Sequence, residues 1–404
     1  MKLFKYTTKE PVFHYGTDRQ VEIPETYRPK PFRGMWVANV NNIDLPEVKD
    51  GEIYRQEIQK LLDTCQEFSI NAIFFQVRTT NDAFYKSALN PYSRYLTGQE
   101  GKEPPFDVMD YVIQETKNRG IEFHAWCNPY RVSAEGTEST EKYFSSCDDL
   151  NFAKRHPEDC VLDKRGQIIL NPALPEVKQF IIDTMREIVV NYAVDGIHFD
   201  DYFYPYHGLD ENHDDKESFE AQSLPKGDFR RQNVNDVISG VYHAIKAVNP
   251  KLRFGISPFG IWKNRKENEW GSRTDPACTE SYYALYADTL AWIEGGYVDY
   301  VVPQIYWDFG HRIAPFADIC DFWVEVCRKH PVDLYIGHGA YRLGTEGEFA
   351  NKKEITNQLL YANQFASVKG NVFFTYKTFV DKDKAFPGMQ EVKKLLNGDY
   401  DEKT

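Results

Sequence analysis

Short apolar runs alternate with longer stretches of helical periodicity from residue 32 almost to the end of the chain. The runs Phe32–Val40, Ala72–Val77, Glu122–Asn128, Gly196–Asp201, Leu252–Phe259, Val298–Trp307, Asp333–Tyr341 and Asn371–Thr378 predict eight strands. Between them, Tyr54, Ile58, Leu61, Leu62, Cys65 and Phe68 recur at helical spacing. Phe180, Ile181, Met185, Ile188 and Val189 do the same after a start signal at Pro175-Glu176. Val237, Val241, Ile245 and Val248 mark a helix closed by Asn249-Pro250, and Tyr283–Ile293 predicts another, ending at Gly295-Gly296. Gly120 and Gly370 stand just before strands, where helix C-terminal glycines belong.

Eight strands alternating with helices predict an α/β fold, a (β/α)8 TIM barrel, in preference to a doubly wound open sheet. A bare barrel needs roughly 250 residues, and this chain has 404. The excess falls into long segments after strands, at Pro129–Leu170, Tyr202–Arg231 and Pro258–Ser281, which places long βα loops on the catalytic face. Residues 1–31 are expected to form an extended N-terminal arm, residues 32–398 the barrel and residues 399–404 a tail.

Composition narrows the partners. The net charge of -13 argues against nucleic acid and anionic membrane surfaces, which call for basic patches. No apolar run reaches the length of a membrane span, and the polar N-terminus lacks a signal-peptide core. A cytoplasmic location is therefore expected, unless an export signal lies outside this chain. The seven cysteines are scattered with no CxxC pair, so reduced thiols are expected. Aromatic residues make up 15% of the chain, which suits both a large core and a carbohydrate binder.

The most informative segment is Asp195–Pro205 (DGIHFDDYFYP), a strand that ends in two adjacent acids followed by aromatics. Side chains alternate along a strand. Apolar Ile197 and Phe199 should therefore face the helices, and His198 and Asp200 the barrel interior. The same phase aims Phe74, Gln76 and Arg78 inward on the second strand, and His124, Trp126 and Asn128 on the third. It aims Val302, Gln304 and Tyr306 inward on the sixth strand, and Ile336 and His338 on the seventh. Polar groups converging from several strands predict a site at the strand C-termini.

Asp200 is the leading candidate for a catalytic nucleophile or base. Its partner is expected to be Asp201, if the chain twists at the strand end, or Asp82, just after the second strand. Arg78 and Arg131 would keep Asp200 ionised. Trp126, Tyr202, Tyr204, Tyr306 and Trp307 are candidates to line a sugar cleft. Arg78, Asn128, Arg131, His198, Gln304 and His338 complete the expected substrate-binding set. No HExxH or Cys/His ligand spacing appears, so no metal site and no cofactor are expected. Tandem acids do suit a divalent ion, and a metal-dependent ester or amide hydrolase using Asp200 and Asp201 stays open. So does a carbohydrate-binding barrel without catalysis.

At these residues the chain resembles the glycosyl-hydrolase-like 10 family of bacterial proteins. The resemblance rests on Phe32–Ala38 with Asn42–Asp44, Phe75–Arg78 with Asp82–Tyr85, Phe123–Arg131, Asp195–Pro205, Ile256–Trp262, Leu285–Asp288 and Pro303–Trp307. It implies a TIM-barrel hydrolase acting on glycans, with some relatives acting on bacterial cell-wall strands. The expected activity is cleavage of O-glycosidic bonds in a bacterial oligo- or polysaccharide, cell-wall-derived material included. Thr79 stands where the family usually has proline after Arg78, which implies a different loop around Asp82.

Overall fold

A computed structural model describes residues 1–266 and 269–399. Its central feature is a closed parallel barrel, and all eight predicted strands contribute to it. They are Phe32–Val37, Ala72–Arg78, Glu122–Cys127, Gly196–Phe199, Arg253–Ile256, the sixth strand in two pieces at Tyr300–Val301 and Gln304–Ile305, Asp333–His338 and Val368–Phe373. Neighbours pair in chain order, and the first strand pairs with the eighth, Phe32 lying opposite Gly370. The sixth strand is interrupted at Pro303, whose nitrogen carries no proton for the ladder. Pairing resumes at once, with the Gln304 N–H donating to the Pro258 carbonyl at 3.0 Å.

Helices cover the outside. Gly51–Glu67 starts at Asp50, whose carboxylate accepts from the N–H groups of Glu52 and Ile53, and it buries the predicted stripe of Tyr54, Ile58, Leu61, Leu62 and Cys65. Pro175–Asn191 likewise buries Phe180, Ile181, Met185, Ile188 and Val189. The expected helix over Tyr283–Ile293 is instead two short ones, Ser281–Ala284 and Thr289–Glu294. Tyr286 between them has a φ of 52°, and Asp288 caps the second helix through the Ala291 N–H. Gly120 has the left-handed conformation of a helix C-terminus, whereas Gly370 lies inside the eighth strand, where a Cβ would strike the Phe32 carbonyl.

Aromatic rings fill the barrel. Phe32, Trp36, Phe74, Trp126, Tyr300 and Tyr335 form one buried cluster, and Phe32 stacks on Tyr335 at 4.0 Å. Such rings fit only because facing positions are empty: a Cβ on Gly255 would sit 2.1 Å from the Tyr300 ring. Ile197 and Phe199 belong to the outer layer against the helices, as the alternation requires.

The seventh strand has the opposite phase to that expected. Tyr335 points inward, Ile336 joins the outer layer, and His338 lies between Phe316 and Phe373 with Gln358 and Asn371 as its hydrogen-bond partners. Phe32 and Trp36 claim the interior at Tyr335 and Gly337, so His338 is turned to the helices.

The long segment after the third strand carries an antiparallel sheet of its own, Arg131–Gly136, Cys160–Leu162 and Gln167–Leu170, paired in the order first, third, second. The N-terminal arm is less extended than expected. It folds back through bridges Lys2–Glu22, Phe4–Pro11 and Phe13–Gln20, and buries Leu3, Val12, Val21 and Ile23. Asp318, on the helix Phe316–Cys327, accepts from the Tyr15 N–H at 3.0 Å and anchors it.

Candidate active site

The fourth strand ends at Phe199, and the chain bends at once. That bend breaks the alternation, so Asp200 and Asp201, which would point to opposite sides in a continuing strand, both face one cavity at the strand C-termini. The cavity measures about 260 Å³. Trp36, Trp126, Tyr202, Tyr206, Tyr306, Tyr341 and Phe374 supply its aromatic walls, and Gln76, Arg131, Ser257 and Gln304 its polar lining. A larger open groove runs between the arm and the helix Phe316–Cys327, where His14 lies against Asp318 and Arg19 pairs with Asp321.

Asp200 is 4% exposed and well supplied with donors. Its Oδ2 accepts from Trp126 Nε1 at 3.1 Å and Asn128 Nδ2 at 2.6 Å, and its Oδ1 from the Tyr202 N–H at 3.2 Å. The Asn128 donor is oriented by a chain of amides. The N–H groups of Asn39 and Val40 donate to Gln76 Oε1, which leaves Gln76 Nε2 to donate to Asn128 Oδ1 at 2.7 Å. Asn128 must then present its own N–H to Asp200.

Asp201, equally buried, has different company. The Tyr206 hydroxyl donates to its Oδ2, and Gln304 lies beside it. Burial pushes both carboxyls above the usual range. For Asp200 the positive Arg131 and the three N–H donors oppose that push. For Asp201 the neighbouring Asp200 adds to it and carries the group up to about 7. Burial raises both acids, and only Asp201 is raised further by its neighbour's charge, so the two carboxyls sit in unlike electrostatic surroundings.

Not every expected site residue reaches the cavity. Trp126, Arg131, Asp200, Asp201, Tyr202, Gln304 and Tyr306 line it, and Asn128 supports Asp200 from behind. Asp82 does not: it is buried in its loop and accepts from the N–H and hydroxyl groups of both Thr79 and Thr80. Arg78 is also buried, donating to the carbonyls of Asn128 and Pro129 and to Asn81 Oδ1. It shapes the turn that carries Asn128 and does not meet Asp200.

His124 and His198 lie below the cavity in the barrel core. Trp36 Nε1 can only donate, so His198 Nε2 accepts it at 3.2 Å and Nδ1–H faces the Tyr300 hydroxyl. Burial holds His198 neutral. Trp307 packs edge-on against Phe259, Tyr204 is buried beside Asp215 and Arg230, and His338 faces the helices; none of the three lines the cavity.

Sequence reasoning missed Tyr206, Tyr341, Phe374 and Ser257 as lining groups. Tyr206 stands next to the segment that was singled out, whereas Tyr341 and Phe374 enter from strand ends with no local signal of chemistry.

Known proteins with this organisation are informative. A model of the family described as glycosyl hydrolase-like 10 matches residues 31–354. The chain is 38% identical over 353 residues to glycosyl hydrolase YngK of Bacillus subtilis, spanning 85% of this chain and 68% of that protein. It is 32% identical over 366 residues to glycosyl hydrolase DigH of Escherichia coli, spanning 85% and 83%. Among solved structures, the PgaB (BpsB) glycoside hydrolase domain from Bordetella bronchiseptica superposes with a TM-score of 0.55 at 10% identity, over 91% of this chain and 98% of that one. Alpha-L-fucosidase isoenzyme 2 from Paenibacillus thiaminolyticus gives 0.51 at 12% identity, over 91% and 48%. At such identities the structural likeness is one of fold. The sequence matches go further: the family model extends across the first seven strands of the barrel, Asp200 and Asp201 included, and the matches establish that this chain belongs to the glycosyl hydrolase-like 10 family.

Proposed function

We propose that this protein hydrolyses O-glycosidic bonds in a bacterial oligo- or polysaccharide, with Asp201 as general acid and Asp200 as nucleophile or base. The observation that carries the reading is the pair itself: adjacent buried carboxyls in unlike surroundings, Asp200 held by Asn128, Trp126 and the Tyr202 N–H and Asp201 by the Tyr206 hydroxyl, beneath aromatic walls. Asp201 holds a proton near neutral pH and delivers it to the glycosidic oxygen as the bond to the anomeric carbon breaks. Asp200, ionised, either attacks that carbon or takes a proton from the water that does. Tyr202 and Tyr341, 38% and 51% exposed, offer ring faces at the rim on which pyranose rings stack. Cell-wall-derived glycans are the first substrates to test.

Among the described residues, no three or more His, Cys, Asp or Glu side chains are arranged to hold a metal, so the metal-dependent alternative has only the two aspartates to build on. The decisive experiment is Asp200→Asn assayed on a glycan panel. Turnover is expected to fall by roughly two to four orders of magnitude, with sugar binding largely retained and thermal stability unchanged or raised. A folded variant with near wild-type turnover removes Asp200 from the mechanism.

A further inference from the structure

Tyr206 stands where three cavities meet. It borders the catalytic cavity, an open one of about 790 Å³ against the antiparallel sheet of the third βα segment, and a smaller one of about 250 Å³ that Tyr204, Arg230 and Tyr286 also line. Its ring lies edge-on to Tyr202 and Phe259, with centres 5.6 and 6.0 Å away. Local sequence places it there. The Gly208 N–H donates to the Pro205 carbonyl at 3.0 Å and turns the chain around Tyr206, with Gly208 at a φ of 72° that favours glycine. From that turn the Tyr206 hydroxyl reaches back five residues to Oδ2 of Asp201.

The two acids are held unequally. Asp200 accepts hydrogen bonds on both oxygens, from Trp126, Asn128 and the Tyr202 N–H. Asp201 has the Tyr206 hydroxyl on Oδ2 and Gln304 beside it, and Gln304 Nε2 is itself anchored on the Ser257 carbonyl at 2.9 Å. A carboxyl turns easily about its last bond, so the group that grips Oδ2 also sets where Oδ1 points. Burial and the neighbouring Asp201 push the Tyr206 phenol up, so it stays a donor across the working range. A donor on Oδ2 leaves Oδ1 as the oxygen that carries the acid's proton. The other titratable or charged groups around this contact are Asp200, Tyr202 from the same loop, Tyr306 from the end of the sixth strand and, beyond Asp200, Arg131. His207 follows Tyr206 and borders the two outer cavities.

We propose that Tyr206 is a positioning residue: by holding Oδ2 of Asp201 it presents the protonated Oδ1 to the glycosidic oxygen. The inference rests on the glycosidase reading above and deepens it. Tyr206 transfers no proton itself. Its phenol keeps the O–H, and only the Asp201 proton moves, to the leaving oxygen as the bond to the anomeric carbon breaks. Removing the hydroxyl has two consequences. Asp201 loses its fixed direction, which slows proton delivery. It also loses a donor that favours its ionised form, so it holds its proton to higher pH.

The test is a set of pH–rate profiles of the full chain, on a glycan that the wild type turns over in the panel above and on an aryl glycoside of the same sugar with an activated leaving group. Tyr206→Phe should lower kcat on the glycan by about ten- to a hundredfold and leave KM within about threefold. On the aryl glycoside, which needs little protonation, the loss should stay under about threefold. The alkaline limb of the variant should move up by roughly one pH unit, the equivalent of one hydrogen bond to the ionised acid. 3-Fluorotyrosine at position 206, a stronger donor of nearly the same shape, should move the limb down. In the Asp201→Asn protein, Tyr206→Phe should cost less than about twofold more, because no proton is left to position. An alkaline limb that stays in place in the fluorinated protein overturns the proposal, even if the Phe variant fails to fold. So does an equal loss on both substrates in folded Tyr206→Phe, or a full additional loss in the Asp201→Asn background. Any of these results with glycan turnover by the wild type retains the glycosidase reading and discards only this one, whereas a wild type that turns over no glycan of the panel discards both.

Discussion

Replacing Asp201 by asparagine separates the two properties that the site demands of it. The amide keeps an oxygen for the Tyr206 hydroxyl and a similar volume, but it has no proton to release. In the folded protein Asp201 holds its proton up to about 7, against 3.8 for a free carboxyl. Between those values the folded state binds a proton that the unfolded chain has lost, so this group makes stability fall as pH rises through that window. The loss is absent below about pH 4 and complete above about pH 7, and the displacement corresponds to a ceiling of about 4 kcal/mol. Asp201→Asn removes the pH-dependent loss. Relative to the wild type, its urea midpoint should be little changed near pH 4 and clearly higher near pH 8. Activity should move the other way. With its general acid gone, kcat/KM on natural glycans should fall by about two to four orders of magnitude, and less on aryl glycosides whose leaving groups need little protonation. The alkaline limb of the wild-type profile, set by Asp201 near pH 7, should disappear. A stability difference that is flat from pH 4 to 8 would refute the buried, protonated state, and an unaltered alkaline limb would refute the acid role.

Two further outcomes are expected. Asp82→Ala strands two buried N–H groups and two hydroxyls, so it should cost about 2–4 kcal/mol of stability while leaving turnover per folded molecule within about tenfold of wild type; a large loss of turnover at unchanged stability would return Asp82 to the catalytic pair. Exhaustive treatment with EDTA should leave glycan turnover unchanged, and activity that vanishes and then returns with a divalent ion would favour the metal-dependent reading with Asp200 and Asp201 as ligands.

Period-two alternation was enough to place Asp200 at the barrel mouth. Once Ile197 and Phe199 are committed to the helix layer, the residues between and after them have only the interior left. The eight strands and the long βα segments were legible for the same reason, since burying one face of every element leaves a repeating mark in the chain. The bend after Phe199 that admits Asp201 was readable as the end of an apolar run. What periodicity does not contain is the identity of partners. Arg78 and Asp82 are the right residue types near the right strand end, yet Asn128, Pro129 and Asn81 take up the first, and Thr79 and Thr80 the second. The seventh strand turned its phase because Phe32 and Trp36, far away in sequence, compete for the interior. Tyr341 and Phe374 became cavity walls only through barrel closure, which also brought Arg131 against the Tyr202 ring and beside Asp200. Local sequence sets which way a side chain points along its own strand. Three-dimensional packing decides what it meets there, and so whether its hydrogen bonds are spent on the fold or left for a ligand.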